Sequence, residues 1–331
     1  MTFQRVRELD PLGIDRELRD LPALNGSADI DAISTIVDDA VNRLDSTTYD
    51  KDSATAAMRD LDFLLSSSLR HGADLVVEGG RIESVLLGLG KIACMIPRGT
   101  VSTYALANPR GERERSFTGS PEERLFIESV RSGAESVESS LETYVNEGKL
   151  AGLTAMEDSI AHMITSIIDV KRGVSPAYFT GQLRPYFDPL TIGGESYAGS
   201  GGAQLQFIAV DYLLWGVDCD NPVYQDYFAD NVRYLSPEQR AYLELGIDKN
   251  DGKSILRSAV EDGDSQLSEQ AIRVLQGLKK FRYPHRKLAR DNFKIRPDGS
   301  VGSGVYTTDI LDVLLDETIE AIEKLEGIVH E

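Results

Sequence analysis

Apolar residues recur at helical spacing in the segment that ends at His71 and Gly72. Spacings of three and four residues place side chains on one face of an α-helix, and a glycine directly after such a stripe is typical of a helix end. The pattern therefore predicts a buried helix from Ser53 that ends at His71. Its stripe consists of Met58, Leu61, Leu65 and Leu69.

The same spacing continues toward the C terminus and predicts an all-α fold. The run VSTYALA, residues 101–107, is the one strand-like stretch, and a single strand cannot form a sheet. Helices packed on helices are the architecture that remains. The other segments with helical spacing include 30–44, 82–96, 120–148, 154–173, 203–215 and 308–325.

The N-terminal residues differ from the rest of the chain. Residues 1–27 contain Pro11, Pro22 and the loop-like sequence Asn25-Gly26-Ser27, and they are predicted to form an irregular arm. Residues 28–331 show no internal repeat and no linker. They are predicted to form a single large all-α domain.

Composition narrows the possible partners. The chain has 331 residues, of which 41% are hydrophobic, and its formal net charge is −19. This charge disfavours nucleic acid and anionic membranes. We expect a cytoplasmic protein for three reasons. The two cysteines form no CxxC pair, the N terminus does not resemble a signal peptide, and no apolar run is long enough to span a membrane.

A histidine lies at the end of an apolar stripe near the C terminus. Leu275, Leu278 and Phe281 are spaced by three residues, and a further step of four reaches His285. The imidazole is therefore predicted to face the interior, where a core histidine bonded to a backbone carbonyl is the ordinary alternative. Pro284 lacks a backbone donor and is predicted to mark the helix end.

Two neighbouring features suggest that His285 meets a ligand. Arg282 lies one helical turn before it, where a guanidinium could hold an acidic group. The sequence Gly302-Ser303-Gly304 follows about twenty residues later and would let the backbone approach a ligand closely.

These residues resemble the proximal-histidine segment of the heme-dependent indoleamine and tryptophan dioxygenase superfamily. Within it, the chain is similar to monodechloroaminopyrrolnitrin synthase and its relatives, among them heme-dependent tyrosine hydroxylases. The resemblance covers most of the chain, and its five segments occur in the same order as in the family. The segments that carry it are 56–72, 116–131, 183–202, 211–216 and 281–289.

The resemblance implies a non-covalent heme b buried between helices, with O2 or H2O2 as co-substrate. His285 would be the axial iron ligand, and Arg282 would lie near a propionate, with Ser303 and Gly304 also at the cofactor. His71 would be the distal catalytic residue and donate a proton, although a helix-end histidine bonded to a carbonyl is the alternative. His162 is expected at the surface, and His330 near a frayed end.

An aromatic L-amino acid is the implied substrate. Arg184 could clamp its carboxylate or pair with an acid of the protein. Tyr186 and Tyr197 could stack on its ring or belong to the core. The cluster that includes Ser196 and Gly201 lacks the strand that a dinucleotide loop requires, so it is either a plain loop or the distal wall over the heme. Tyr306 completes the expected substrate residues.

The preferred function is hydroxylation of L-tyrosine to L-DOPA in natural-product biosynthesis. The alternative is oxidation or ring rearrangement of tryptophan or chlorotryptophan, as in monodechloroaminopyrrolnitrin synthase. A rival of another class is a non-catalytic heme sensor in which His285 binds iron without turnover. A homo-oligomer is possible in each case.

Overall fold

The computed structural model describes residues 3–44, 49–201, 207–295 and 306–329. These residues form two compact units. The first comprises 3–44, 49–128 and 173–201, and the second comprises 129–172, 207–295 and 306–329. In the described part of the chain, no helix combines the length and the apolar character needed to cross a membrane.

The described residues are mostly α-helical, which confirms the predicted all-α class. That residues 28–331 form a single domain stays a prediction. The α-helices are α1 (Gln4–Glu8), α2 (Asp15–Ser27), α3 (Ile30–Leu44), α4 (Lys51–Arg70), α5 (Arg81–Ala93), α6 (Pro121–Glu147), α7 (Lys149–Gly173), α8 (Pro176–Tyr178), α9 (Phe207–Leu214), α10 (Pro222–Val232), α11 (Pro237–Asp248), α12 (Ile255–Asp262), α13 (Ser265–Ile295) and α14 (Asp309–Val329).

Short helical turns and one hairpin complete the described elements. The π-helical turns are Ser102–Leu106 and Phe179–Leu183, the 3-10 turns are Gly111–Arg113, Arg184–Phe187 and Gly216–Asp218, and the strands are β1 (Leu190–Ile192) and β2 (Glu195–Tyr197).

Helix α4 forms the core of the first unit. The Asp50 side chain accepts a hydrogen bond from the Ser53 backbone N–H at 2.8 Å and caps the helix. Every residue from Ala54 to Ser68 is buried. The helix ends at His71, followed by Gly72 with φ +92°, so the predicted helix and its end are both confirmed.

Because α4 is buried on all sides, its charged residues require partners inside the protein. Asp60 accepts from Arg59 Nε at 2.7 Å and from Arg115 Nε at 3.1 Å. Burial opposes the charged carboxylate, but the two guanidiniums outweigh burial and lower the pKa of Asp60. Asp62 accepts from Arg98 Nε at 3.1 Å. These pairs allow a polar helix face to lie in the core.

Asp60→Ala should lower the free energy of unfolding by about 3–5 kcal/mol, because two buried guanidiniums lose their carboxylate. Urea denaturation measures the change. Asp52→Ala on the same helix is the control, because Asp52 is partly exposed and pairs with an exposed Arg5 at 3.3 Å. This control should cost less than about 1 kcal/mol. Equal losses in the two variants would contradict a structural role for the buried pair.

The prediction of an irregular arm over residues 1–27 is wrong, since α1 and α2 lie within it. Pro22 is tolerated inside α2, and Asn25-Gly26-Ser27 forms the last turn of this helix, with Ala28 in the left-handed conformation at its end. The helix is held by an apolar face that packs in the first unit. This face consists of Ile14, Leu18 and Leu21, all nearly inaccessible to solvent.

The predicted strand over residues 101–107 is also wrong, because Ser102–Leu106 forms a π-helical turn. The Ala107 N–H donates to the Ser102 carbonyl at 2.7 Å. All five residues of the turn are buried, and a short apolar run of this kind does not distinguish a strand from a buried helical turn.

The hairpin β1–β2 lies in the glycine-rich segment of the first unit. The strands are antiparallel, with Leu190 opposite Tyr197 and Ile192 opposite Glu195. Gly193 and Gly194 have φ of +61° and +78°. A two-residue hairpin turn with positive φ at both positions favours glycine, so these glycines serve the turn.

The second unit has its own apolar core, in which α13 is the longest helix. Leu275, Leu278 and Phe281 lie in this core, as their spacing predicts. The expectation that α13 ends at Pro284 is wrong, since the helix continues to Ile295. Beyond the proline, Arg286 Nη1 donates to Asp312 Oδ1 of α14 at 2.6 Å, and Arg290 bonds the same carboxylate at 2.8 Å. These ion pairs hold the distal part of α13 against α14.

Candidate functional site

His285 lies on α13 in the second unit, one turn after Phe281. The centroids of the two rings are 5.5 Å apart, and Phe281 in turn packs on Phe207 of α9 at 4.9 Å. Burial lowers the pKa of His285 to about 4, and the charge of Arg282 acts in the same direction. At neutral pH the imidazole is therefore uncharged and carries the lone pair that a metal ligand requires.

Arg282 is buried beside this histidine and already has two partners inside the protein. Its guanidinium donates to Asp211 Oδ2 and to Thr318 Oγ1. Burial raises the pKa of Asp211, whereas the attraction of Arg282 opposes that rise. The contact of Arg282 with a heme propionate stays a prediction, and the ion pair with Asp211 is the interaction that the structure provides.

Asp211, the buried partner of Arg282, is a residue that the sequence analysis missed. It is the one charged residue in the apolar helix α9, FIAVDYLL, and a lone carboxylate in such a helix indicates a buried partner. Its second oxygen, Oδ1, has no hydrogen-bond partner among the described residues. The same is true of Trp215 Nε1 and Tyr224 OH, whose rings lie 4.4 Å apart.

The residues around His285 fit a heme group. Iron in a porphyrin accepts a neutral imidazole as a protein ligand, so His285 would be the residue that holds a heme. Phe281 and Phe207 give that imidazole an apolar setting, and the unpartnered polar atoms of the same unit could bond a polar ligand group.

Tyr306 belongs to the second unit and is partly exposed. Its hydroxyl donates to Asp230 Oδ2 at 2.7 Å, and its ring meets Tyr227 edge to face at 5.2 Å. Burial and the neighbouring Asp230 carboxylate raise the pKa of Tyr306. Its role in substrate binding stays a prediction. Ser303 and Gly304 lie outside the described residues.

His71 caps the C-terminal end of α4 in the first unit. Its Nε2 lies 3.2 Å from the side-chain oxygen of Asn25, and its ring meets Tyr186 edge to face at 6.3 Å. Burial lowers the pKa of His71, and the charge of Arg70 adds to this effect. The alternative in which the ring bonds a backbone carbonyl differs from the contact seen, because the partner is an amide side chain.

Arg184 and Tyr186 lie together in the 3-10 turn of the first unit. Arg184 Nη1 donates to Asp188 Oδ1 at 2.8 Å, so its pairing with a protein acid is confirmed, while its contact with a substrate carboxylate stays a prediction. Tyr186 stacks on Phe117 at 4.5 Å with an interplanar angle of 12°. Burial raises the pKa of Tyr186 to about 12, which keeps its hydroxyl protonated.

The hairpin residues separate into an exposed and a buried set. Ser196 is exposed on β2, whereas Tyr197 is buried and its carbonyl accepts from Arg98 Nη1 at 2.6 Å. Arg98 Nη2 also donates to the Asp188 carbonyl at 2.9 Å and so ties the hairpin to the turn that holds Arg184. A Cβ at Gly201 would lie 2.3 Å from the Phe187 ring. Packing on Phe187 therefore requires glycine there, and a role as distal wall stays a prediction.

The two units thus divide the predicted site residues. His71, Arg184, Tyr186 and Tyr197 belong to the first unit, and Arg282, His285 and Tyr306 belong to the second. His162, expected at the surface, is exposed and bonds Ser132 Oγ at 2.6 Å.

A comparison with known protein families identifies the family of this chain. The family described as monodechloroaminopyrrolnitrin synthase PrnB matches residues 30–321, a range that includes every predicted site residue. This match confirms the resemblance seen in the sequence, and the family is one of heme-dependent oxygenases. The chain therefore belongs to the monodechloroaminopyrrolnitrin synthase PrnB family of heme-dependent oxidoreductases.

Proposed function

We propose that this protein is a heme-dependent oxygenase that acts on tryptophan or a chlorotryptophan and rearranges its ring system. The family match over residues 30–321 is the observation that carries this proposal. It favours the alternative from the sequence analysis over hydroxylation of tyrosine, because the matched family is named for a synthase whose substrate is of the tryptophan type.

The cofactor in this proposal is a non-covalent heme. When bound, it would activate O2 or H2O2 for the oxidation of an aromatic ring. His285 would hold the iron through its neutral imidazole. The buried pair between Arg282 and Asp211 would fix α13 against α9 and so set the direction of the imidazole.

Arg184, Tyr186 and His71 are the residues proposed for the substrate. Arg184 has a guanidinium next to a half-exposed carboxylate, Asp188, which a substrate carboxylate could replace. Tyr186 offers an aromatic face, and His71 offers an imidazole that is neutral near pH 7. These three groups could bind the amino-acid end of the substrate, orient its ring and move a proton.

Arg184→Ala should weaken binding of the amino-acid substrate by about 1.5–3 kcal/mol, the usual value of a charged hydrogen bond. The heme absorption should not change, and a spectral titration with the substrate measures the affinity. Asp188→Ala is the matched control, because it removes the Asp188 carboxylate and leaves the guanidinium in place. If Arg184→Ala binds substrate as tightly as the parent protein, Arg184 has no part in the site.

Product analysis tests the proposed reaction. The heme-loaded protein is incubated separately with L-tryptophan, 7-chlorotryptophan and L-tyrosine, either with a reductant and O2 or with H2O2, and the products are identified by mass spectrometry. The proposal predicts consumption of an indole substrate with loss of its indole absorbance. A gain of one oxygen on tyrosine alone would contradict it and favour the hydroxylase. Heme binding without any turnover would favour the sensor.

A further inference from the structure

Asn25 is a buried polar residue in the last turn of α2, and its side chain joins three parts of the first unit. It is 6% exposed. Its amide nitrogen lies 2.8 Å from the Phe117 carbonyl and 3.0 Å from Ser67 Oγ. Its amide oxygen lies 3.2 Å from His71 Nε2. Asn25 precedes residue 30, where the family match begins, so the match itself assigns it nothing.

The Phe117 carbonyl fixes which way the amide of Asn25 points. A carbonyl oxygen only accepts hydrogen bonds, so the amide nitrogen has to face it. The amide oxygen then has to face His71, and this oxygen also only accepts. His71 Nε2 must therefore carry a hydrogen and donate it. In the neutral imidazole only one nitrogen carries a hydrogen, so Nδ1 is left with a lone pair.

We propose that Asn25 is a positioning residue that holds His71 in the Nε2–H tautomer, so that Nδ1 accepts a hydrogen bond, and then a proton, from an N–H group of the substrate. The N–H bond of the substrate breaks, its electron pair stays on the substrate nitrogen, and the proton is held on Nδ1, while Nε2–H continues to donate to Asn25. The catalytic part of this inference rests on the proposed function. The tautomer assignment is independent of the proposed function, because it follows from the hydrogen bonds of Asn25 alone.

The surroundings of His71 support this assignment. The His71 backbone N–H donates to the Ser67 and Ser68 carbonyls at 3.3 and 3.1 Å, which anchors the residue at the end of α4. Phe117, whose carbonyl orients Asn25, stacks its ring on Tyr186, and Tyr186 in turn meets the His71 ring edge to face. Among the described residues, Nδ1 has no hydrogen-bond partner, so it can bond a ligand.

The assignment changes the role expected of His71. A neutral imidazole in this tautomer accepts at its open nitrogen and cannot donate there. The proton-donor role from the sequence analysis would require the imidazolium, which burial disfavours. His71 is therefore proposed as a base toward the substrate.

Nitrogen NMR of the imidazoles tests the tautomer directly. The chain has four histidines, so the heme-loaded protein is labelled with 15N-histidine, reduced and saturated with CO to make the iron diamagnetic. His71→Gln identifies the His71 signals. The parent protein should show His71 only as the Nε2–H tautomer. A His71 found as the Nδ1–H tautomer overturns the proposal without any need for a variant at Asn25.

Two variants then separate positioning from general packing. Asn25→Leu keeps the volume and removes the acceptor, so both tautomers of His71 should become populated and kcat should fall by roughly 10- to 100-fold, a part of what acid–base catalysis contributes. KM and the heme absorption should change little. Ser67→Ala removes the other partner of the Asn25 amide but keeps the Phe117 carbonyl, so tautomer and kcat should both stay as in the parent.

The outcomes distinguish this inference from the proposed function. An Asn25→Leu protein that keeps the single Nε2–H tautomer and full kcat overturns the role of Asn25. A parent protein with the expected tautomer and no turnover of any aromatic amino acid overturns the proposed function and the catalytic part of the inference, while the hydrogen bond from His71 to Asn25 stands.

Discussion

His285→Gly is expected to weaken heme binding by more than about 100-fold. Loss of a residue that only supports a metal ligand costs up to about 100-fold in metal affinity, and loss of the ligand itself should cost more. The substitution removes the proposed protein ligand to iron and leaves a space next to Phe281. Titration with hemin, followed by absorption, measures the affinity. Added imidazole should enter the space and restore a histidine-like spectrum.

His162→Gly is the control for this experiment. His162 is an exposed histidine on α7, and its replacement should leave heme binding unchanged. Equal heme affinity in His285→Gly and the parent protein would remove His285 from the cofactor site.

His71→Ala is expected to reduce kcat by about 10²- to 10⁴-fold, the usual contribution of a positioned acid or base. The heme absorption should be retained, because the proposed iron ligand is His285. Turnover and the absorption spectrum of the same preparation measure the two effects. Loss of heme from His71→Ala, with heme retained in His285→Gly, would reverse the assignment of the two histidines.

The pH dependence of kcat distinguishes a base from an acid at His71. The pKa of His71 lies below its ordinary value of 6.5. A base acts in the neutral form, so activity should fall as the pH drops through that pKa and should be constant above it. This acid limb should be absent from His71→Ala. An acid would produce the opposite profile, in which activity falls as the pH rises.

The sequence predicts the helices whose apolar stripes are strong. Helix α4 and its end at His71 follow from the stripe that begins at Met58 and from the glycine after it. The stripe through Leu275 and Leu278 likewise predicts the part of α13 that leads to His285. In these helices local spacing and burial agree, so periodicity alone is sufficient.

The errors arise where packing outweighs local preference. Proline and glycine indicate a loop at residues 22–27, yet α2 forms because its face is buried. The sequence does contain a signal for this helix, because Ile14, Leu18 and Leu21 follow helical spacing. The next position in this spacing is Asn25, whose amide therefore lies on the core-facing side. Pro284 does not end α13, because ion pairs to Asp312 hold the helix beyond it.

The sequence proposes candidate site residues only where a motif contains them. Arg282 and His285 stand one turn apart and match the resemblance. Asp211 is distant in sequence from its partner Arg282, and Asn25 is distant from its partner His71. Only the fold brings the members of each pair together. Such partners are set by tertiary contacts, which spacing along the chain does not encode.

The absorption spectrum of the purified protein tests the central claim most directly. Protein produced with ample iron, or titrated with hemin, should show a Soret band, and the band should shift when L-tryptophan or 7-chlorotryptophan is added. Extraction with acidified acetone should remove the pigment, because the chain has no CxxCH attachment motif. A protein that takes up no heme under either condition would contradict its assignment as a heme-dependent oxygenase.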